Sequence, residues 1–594
     1  MIFISILILI VAIALPSFNQ QLSSIMITRI SAIIFIYSGA LAFNALYIQS
    51  IGSGIGIYSG LFHVTIISQL LDVFLLIMAS LILIGWPLIT SSYYNKVISF
   101  RNLITDGMSP LNKVSTLVTT KYNYIGLYTP RAEYCLIVLF SGLGSSLLIS
   151  SSDLLSLYLS IELQSFGLYI LSTLYRDYES ATASGLKYFL LGALSSCFIL
   201  LGAGLIYTFT GLTNFESIYT LISVSYNATQ TIFLSGVTLG VIFIFIGFLF
   251  KIAAAPFHSW SPDVYDETPT QVTIWLTIIP KISILVLLLE LQSGLSINQL
   301  SILNIYEYSN ILTQFNTDMI TNITSNSPFS LGCGAAVTYN TSYVLKMLLL
   351  ISSLFSLVIG TIVGLAQTRI KRLLAYSTIS HIGFILLALA INTEQSIDSF
   401  LFYIIQYSIT NLNIFLIILA LGFIIHKNGI KLYSNSNNIY FFDFDIRYLV
   451  DIKGQFLANP LLSLSFCISL FSIAGVPPLL GFFSKQFVLF SAVQSGYYFM
   501  AFIAILVSVI SASYYLRVIL LLFTESELVE YNNTSDKDLN QLDNSAPLVL
   551  NESILSNFHS FLISTITLSI LLFIFKPTLL LNSTQLLSLS LFNY

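Results

Sequence analysis

Five lysines and one glutamate stand inside long apolar runs, where a charged side chain is costly. They are Lys187, Lys251, Lys281, Lys346, Lys485 and Glu162. A charge at the centre of a membrane helix costs roughly 2.5–3.5 kcal/mol on insertion scales, and less where charged groups face one another or a hydrated interior. An amine crowded by other cations in low dielectric binds its proton less tightly. A connected set of such amines has the chemistry of a proton relay.

Glu162 and Lys187 are predicted to lie on the two helices of one hairpin. Glu162 is in "LYLSIELQSFGLYIL" and Lys187 is in "SGLKYFLLG", and we expect the two groups to approach each other. They would form either a structural ion pair or a pair whose proton affinity is tuned. Lys251 and Lys281 follow without a matching number of acids, so pairing cannot neutralise them. This surplus of cations favours the relay.

Two of the lysines stand beside prolines inside apolar runs. Lys251 comes shortly before Pro256 in "FLFKIAAAPFHSWSPDVY", and Lys485 follows Pro477 and Pro478 in "SIAGVPPLLGFFSKQFVLF". Proline in a membrane helix frees a carbonyl that protein or water must satisfy, and broken helices flank ion paths in transporters. A lone proline also fits a kinked packing helix. Two breaks that each carry a lysine favour an ion path.

Four other polar residues also lie in or beside apolar runs. His381 in "LAQTRIKRLLAYSTISHIGF" follows several hydroxyl residues; it is either a helix–helix hydrogen-bond partner or a proton carrier. His258 is either a partner of backbone groups at the break or a member of the relay. Lys346, near the start of its helix, is expected to reach the headgroup region. Asp72 in "LLDVFLL" is a weaker carboxylate candidate.

The composition indicates a protein whose solvent is the lipid bilayer. Of 594 residues, 56% are hydrophobic and 8% are charged, against roughly 25% charged in soluble domains. The net charge of −4 gives no reason to expect a nucleic-acid partner. The 4 cysteines lie far apart and the 5 histidines are dispersed, which argues against iron–sulfur clusters, a metal site and a disulfide framework.

The apolar runs predict an all-α polytopic membrane protein with about fourteen transmembrane helices. The predicted spans are 2–18, 27–47, 66–90, 131–151, 153–175, 181–209, 230–258, 268–290, 343–367, 371–392, 398–425, 460–490, 496–523 and 557–580. The linkers 91–130, 291–342, 426–459 and 524–556 are too short for a soluble domain. Sixteen of the 22 basic residues fall in the loops of one side of the membrane. This side is predicted to be the one that corresponds to the cytoplasm, and both termini are expected on the opposite side.

Five segments of the sequence resemble the antiporter-like membrane subunits of respiratory NADH:ubiquinone oxidoreductase (complex I). They are "LYLSIELQSFGLYIL", "LKYFLLGALSS", "FKIAAAPFHSWSPDVYDETPT", "IKRLLAYSTISHIGF" and "GVPPLLGFFSKQFVL". The resemblance is closest to one of three subunit types, in its fungal mitochondrial form. In the two sister subunits, the first break is typically followed by "HxWLPxAHxxAP", whereas this sequence reads "HSWSPDVYDETPT". Glu267, which many relatives replace by a small or apolar residue, is expected to have little mechanistic consequence.

The resemblance implies two inverted repeats of five helices, each with one broken helix. They would occupy 131–290 and 343–523, between an N-terminal three-helix segment at 1–130 and a C-terminal helix and tail at 557–594. Glu162 would be the acid of the fifth helix, Lys281 the connecting lysine, and Lys187 an additional lysine. Lys251 and Lys485 would be the lysines of the two broken helices. These five residues and His381 would form the proton relay, with His258 as a further candidate.

The function implied is proton conduction across the inner mitochondrial membrane, coupled to NADH oxidation and ubiquinone reduction elsewhere in the complex. Basic loops would face the matrix, and both termini the intermembrane space. No cofactor or metal is expected in this chain, because FMN, iron–sulfur clusters and ubiquinone would be held by other subunits. Expected partners are other membrane-arm subunits, including neighbouring antiporter-like ones, accessory subunits and lipids such as cardiolipin.

Two other functions fit parts of the sequence. A stand-alone cation/proton antiporter would share this ancestry, but it predicts several intramembrane carboxylates, and here Glu162 is the clear one. A structural spacer without pumping would use the buried charges only to hold helices together. The effect of replacing Lys251 on proton-coupled turnover would separate the relay from the spacer.

Overall fold

The protein is mostly helical, with one small antiparallel hairpin. The computed structural model describes residues 1–15, 24–47, 54–85, 132–175, 179–225, 231–320, 341–433, 445–524 and 556–592. The first part contains α1 (Ile2–Ala14), α2 (Ser24–Ala45), β1 (Ile55–Ile57), β2 (Phe62–Val64), α3 (Ile66–Ile84), α4 (Ala132–Ile149), α5 (Leu154–Thr173), α6 (Glu179–Thr210) and α7 (Phe215–Ser225). The middle part contains α8 (Thr231–Ile252), α9 (Trp260–Glu267), α10 (Thr270–Ile320), α11 (Thr341–Leu365), α12 (Ile370–Ile391) and α13 (Glu394–Tyr433). The last part contains a 3₁₀ turn (Leu449–Ile452), α14 (Gln455–Ala458), α15 (Pro460–Ala474), α16 (Leu480–Gln494), α17 (Tyr498–Phe523), α18 (Asn557–Leu571), a second 3₁₀ turn (Leu572–Phe575) and α19 (Thr578–Phe592).

Each of the predicted spans contains a helix of the structure. Within the described residues, 11 helices are long and apolar enough to cross a membrane, and α1, α4 and α15 are shorter apolar helices. The β-hairpin, in which Ile55 pairs with Val64, was not predicted. The prediction of a helical, multi-pass membrane protein is confirmed.

Three helices form the centre of the molecule. The apolar windows of Thr270–Leu295, Ile370–Ile391 and Glu394–Ile425 are 100%, 94% and 83% buried, whereas that of Glu179–Thr210 is 33% buried. A helix that is apolar all round and enclosed by other helices belongs to the interior of a bundle. The polar side chains on these three helices are therefore shielded from lipid.

Both predicted helix breaks are present. The first break lies between α8 and α9, where Ala253 has a positive φ of 65°. The second lies between α15 and α16, where Gly475 ends α15 in the left-handed conformation at φ 88°. Each break contains a cis proline peptide, Ala255–Pro256 and Pro477–Pro478. The sequence thus correctly located the two interruptions.

The predicted linker 291–342 was wrong in its first part, because α10 continues to Ile320. The linker 426–459 likewise begins as helix, since α13 continues to Tyr433. Hydropathy detects where an apolar span ends, but a helix needs only backbone hydrogen bonds and can continue through mixed polar sequence. The linker 91–130 and residues 525–555 of the last linker lie outside the described residues.

Candidate functional site

Lys251 lies in the last turn of α8, directly before the first break, and its ammonium group is buried. Lys251 Nζ has no hydrogen-bond partner within the described protein. It borders a cavity in which about 20 Å³ can be occupied by the centre of a water molecule. One ordered water needs roughly 10–15 Å³ measured in this way. The cavity therefore has room for water beside Lys251.

Side chains of several helices line this cavity. They are Ile161, Gln164, Ser165, Leu168, Tyr169, Tyr188, Gly192, Phe250, Lys251, Trp260, Pro280 and Ile284. Gln164 Nε2 donates to Ser283 Oγ at 3.0 Å and so ties α5 to α10 beside the cavity. Pro280 precedes Lys281 on α10, so the cavity reaches the helix turn that carries the next lysine.

Glu162 lies on α5 near the same cavity. Its Oε1 is buried without a hydrogen-bond partner in the described structure, and Ser165 Oγ lies 3.5 Å from Oε2. The carboxylate and the Lys251 ammonium form no direct ion pair in the described part of the chain. Water is the group that could connect them.

The expected approach of Lys187 to Glu162 was wrong: Lys187 Nζ donates to Asp263 Oδ2 of α9. The register of the α5–α6 hairpin explains this. The two helices run antiparallel and come so close that a Cβ on Gly185 would lie 2.3 Å from Thr173 Cγ2. This register places Lys187 about nine residues, or roughly 13 Å along the axis, from the level of Glu162.

Lys281 lies on α10 and is only 2% exposed. Its ammonium donates to Thr378 Oγ1 of α12 at 3.2 Å and to the Tyr407 hydroxyl of α13 at 3.1 Å. It also lies 5.4 Å from the centre of the Tyr265 ring. All these partners are uncharged, and two of them can themselves pass on a proton.

His381 lies on α12, 5% exposed, within a group of tyrosines. Its Nδ1 shares a hydrogen bond of 2.7 Å with the Tyr403 hydroxyl, and its Nε2 lies 3.5 Å from the Tyr515 hydroxyl. Its ring centre is 6.3 Å from that of Tyr407, the residue that also contacts Lys281. The structure therefore brings Lys281 and His381 together.

Lys485 lies on α16, and its ammonium reaches back across the second break. Lys485 Nζ donates to the carbonyl of Ala474, the last residue of α15, at 2.9 Å. It lies 5.7 Å from the centre of the Phe384 ring. The Phe384 ring in turn stacks on Tyr403 with ring centres 5.9 Å apart, and Tyr403 is the hydrogen-bond partner of His381. Lys485 thus lies near the group of residues that surrounds His381.

The three remaining candidates, His258, Lys346 and Asp72, have other surroundings. His258 is partly buried in the first break, its Nδ1 has no hydrogen-bond partner within the described residues, and its ring centre is 6.4 Å from that of Tyr376. Lys346 lies over the Tyr497 ring at 5.0 Å. Asp72 Oδ1 is buried and lacks a partner within the described chain.

The carboxylates that bind the basic cluster at the start of α12 were not predicted from the sequence. Asp263 Oδ1 accepts from Arg372 Nη2 at 2.6 Å, in addition to its contact with Lys187. Asp266 accepts from Arg369 at 2.6 Å. This hydrogen bond and the charge of Asp266 raise the pKa of the Arg369 guanidinium above its usual value. The acids spaced three residues apart in "DVYD", on the side that carries the basic loops, were the available signal.

Two further carboxylates were also missed. Asp445 accepts from Lys371 Nζ at 2.6 Å and from the Thr270 hydroxyl at 2.9 Å, and so joins α12 to the start of α10. Glu290 falls within the candidate span Thr270–Leu295. It was overlooked because the predicted span ended at this residue.

The sequence was compared with known proteins. NADH-ubiquinone oxidoreductase chain 2 of Rhizopus oryzae is 45% identical over 599 aligned positions, which cover all of both proteins. The family described as NADH:quinone oxidoreductase/Mrp antiporter, transmembrane, matches residues 151–326 and 333–511.

The protein belongs to the NADH-ubiquinone oxidoreductase chain 2 family.

Other members and the fold neighbours agree with this family. Chain 2 of Marchantia polymorpha is 33% identical over 461 positions, covering 76% of this chain and 80% of that protein. A chain of respiratory complex I from Thermus thermophilus with bound aureothin has a TM-score of 0.62 at 22% identity, covering 98% and 99% of the two chains. A chain of the Mrp complex from Dietzia has a TM-score of 0.67 at 16% identity, covering 100% and 96%. The chain 2 family therefore has the antiporter-like fold seen in these membrane complexes.

Proposed function

We propose that this chain 2 protein conducts protons across the inner mitochondrial membrane as a core membrane-arm subunit of NADH:ubiquinone oxidoreductase. NADH oxidation and ubiquinone reduction would take place in other subunits, which would hold the FMN, the iron–sulfur clusters and the quinone. The relay in this chain would consist of Glu162, Lys251, Lys281, His381 and Lys485, with water between the groups that do not touch.

The observation that carries this proposal is the contact between Lys281 and the hydroxyls of the next two central helices. Lys281 donates to Thr378 and Tyr407, and Tyr407 packs near His381. Hydroxyl groups both donate and accept hydrogen bonds, so they can connect an amine to an imidazole. The central helices thereby bring groups of the two predicted repeats into one polar line.

The first repeat would supply the entrance to this line. Lys251 has no protein partner for its ammonium among the described residues, and it borders a cavity with room for water. Glu162 lies on α5 between Ile161 and Ser165, which line the same cavity, and it forms no direct ion pair with Lys251 in the described structure. A proton could pass from one group to the other through water, with His258 at the break as a further member.

Modest electrostatic changes would be sufficient to drive such a relay. Moving one charge through 100 mV is worth about 2.3 kcal/mol. At about 1.36 kcal/mol per pKa unit, this corresponds to roughly 1.7 units. A change of charge in a neighbouring subunit could therefore move the proton equilibrium of an amine in the relay.

The membrane topology is part of this proposal. Fourteen spans in two inverted repeats would place the basic loops in the matrix and both termini in the intermembrane space. The apolar helices in all the predicted segments and the two broken helices support the multi-pass part of this arrangement. Membrane-arm subunits, accessory subunits and lipids such as cardiolipin would cover the outward apolar faces.

Replacing Lys281 by Met tests the proposal in the assembled complex. We expect assembly to be retained, with NADH:ubiquinone turnover and proton pumping reduced at least tenfold, because the line between the repeats loses its central amine. The matched control is Lys346→Met, which removes a lysine that lies over Tyr497, away from the line. This control should pump normally.

The same experiment separates the alternatives. Normal pumping by Lys281→Met would favour the spacer. A protein that does not co-purify with NADH-oxidising activity, and that exchanges Na⁺ or K⁺ for protons in liposomes, would favour the stand-alone antiporter.

A further inference from the structure

Asp263 joins three helices through one carboxylate. Its Oδ2 accepts from Lys187 of α6 and its Oδ1 accepts from Arg372 of α12 at 2.6 Å, while Asp263 itself lies on α9. We call Lys187, Asp263 and Arg372 the charge triad. Each carboxylate oxygen has its own cationic partner, which is a strong, charge-assisted arrangement.

The surroundings of Lys187 differ from those of the lysines in the proposed relay. Lys187 is partly exposed, whereas Lys281 and Lys485 are buried. Lys281 and Lys485 donate to uncharged groups, and Lys187 donates to a carboxylate. Lys187 therefore has the contacts of a residue that fixes one helix against another, and lacks the hydroxyl partners of Lys281.

The charge triad ties α6 and α12 to α9, the helix whose first residue, Trp260, lines the Lys251 cavity. Trp260, at the start of α9, donates from Nε1 to the carbonyl of Phe250 at 2.9 Å. Phe250 directly precedes Lys251, and both Trp260 and Phe250 line the cavity. Tyr188, next to Lys187 on α6, stacks on Trp260 with ring centres 4.7 Å apart. The position of α9 thus determines the wall of the cavity beside Lys251.

We propose that Lys187 is a positioning residue, and that the charge triad holds α9 against the Lys251 break. This assignment rests on the proposed proton-conducting function of the chain. It differs from the role of relay member that the resemblance implies for Lys187. The proton path would enter the first repeat at Glu162, Lys251 and the cavity water, and would bypass Lys187.

Arginine substitutions provide the test, because arginine keeps its charge and binds carboxylates but does not release its proton in proteins. Lys187→Arg should retain at least half of the turnover and pumping of the parent complex, with an unchanged pH profile. Lys251→Arg should lose at least tenfold, because a relay amine must release its proton. Loss in Lys187→Arg as large as in Lys251→Arg, in a complex that assembles, would overturn the assignment.

A double-mutant comparison covers the case in which Lys187→Arg does not assemble. Lys187→Met and Asp263→Asn should each lower turnover, and the double variant should be no worse than the more affected single one, since both remove the same contact. Independent, multiplicative losses would contradict the charge triad. The control is Asp266→Asn, which breaks the other α9–α12 ion pair but contacts no lysine of either repeat; it should affect turnover less than Asp263→Asn.

The two proposals fail in different ways. If Lys251→Arg and Lys281→Met both pump normally, the proton relay itself is wrong. If they lose pumping and Lys187→Arg also loses it, only the positioning role of Lys187 is wrong.

Discussion

Removal of one hydroxyl group, by Tyr403→Phe, should slow proton transfer through His381. The Tyr403 hydroxyl and His381 Nδ1 are 2.7 Å apart, and both residues are buried. This is the shorter of the two contacts that the ring nitrogens of His381 make with tyrosine hydroxyls. This hydrogen bond fixes the orientation of the imidazole ring. Whether Nδ1 donates or accepts in it depends on which ring nitrogen carries the proton.

The size of the effect follows from the burial. A buried polar atom left without its partner costs about 1–3 kcal/mol. If this free energy is lost in the rate-limiting proton transfer, the rate falls about 5-fold to 160-fold, at 1.36 kcal/mol per factor of ten. The Tyr515 hydroxyl lies 3.5 Å from Nε2, beyond the usual hydrogen-bond distance. Tyr515→Phe should therefore slow turnover by less than about threefold.

The assay compares both variants in membrane vesicles that contain the assembled complex. NADH:ubiquinone turnover is divided by the NADH oxidation rate with an artificial acceptor, which corrects for the amount of complex, and proton uptake is followed with a pH-sensitive dye. Equal losses in the two variants, or normal turnover in Tyr403→Phe, would refute the assigned role of the His381–Tyr403 contact.

Three further predictions concern backbone, cap and charge. Gly475→Ala should lower turnover about tenfold, because its Cβ would lie 3.0 Å from Lys485 Cδ and displace that side chain; Gly496→Ala, at a similar φ of 83° with open space around it, has the same left-handed backbone cost of roughly 1–2 kcal/mol and is the control that should turn over normally. Asp153→Ala should destabilise the complex by about 1 kcal/mol, measured by thermal unfolding, because the Asp153 side chain caps α5. Burial and neighbouring carboxylates raise the pKa of Glu267, so the folded state binds this proton more tightly than the unfolded state and loses stability as the pH rises; Glu267→Gln should raise the melting temperature at pH 8 but not at pH 4, and an equal effect at both would contradict this.

Hydropathy and proline spacing were sufficient to locate the apolar helices and both breaks, because a membrane helix must be apolar and a proline interrupts its hydrogen bonds. The partners of the lysines were harder to predict. The contact of Lys187 with Asp263 depends on the register of the α5–α6 hairpin, which close packing at Gly185 sets. Tyr407 and Tyr515 lie on helices remote in sequence from Lys281 and His381. Periodicity within a single helix contains no information about such partners.

The lysines of the two broken helices lie on opposite sides of their breaks. Lys251 precedes its break and lies in the last turn of α8. Lys485 follows its break, yet its ammonium returns to the carbonyl of Ala474 at the end of α15. Lys251 Nζ has no hydrogen-bond partner among the described residues. The Lys485 ammonium therefore is the one that lies at the carbonyl end of a half-helix in the described structure, where the helix dipole and terminal carbonyls stabilise a cation by about 0.3–1 kcal/mol, and up to about 2 kcal/mol in partly buried sites. An uninterrupted helix would use those carbonyls in its own hydrogen bonds. The break thus supplies a partial counter-charge that can stabilise a buried ammonium but, unlike a carboxylate, does not bind it so tightly that it cannot lose its proton.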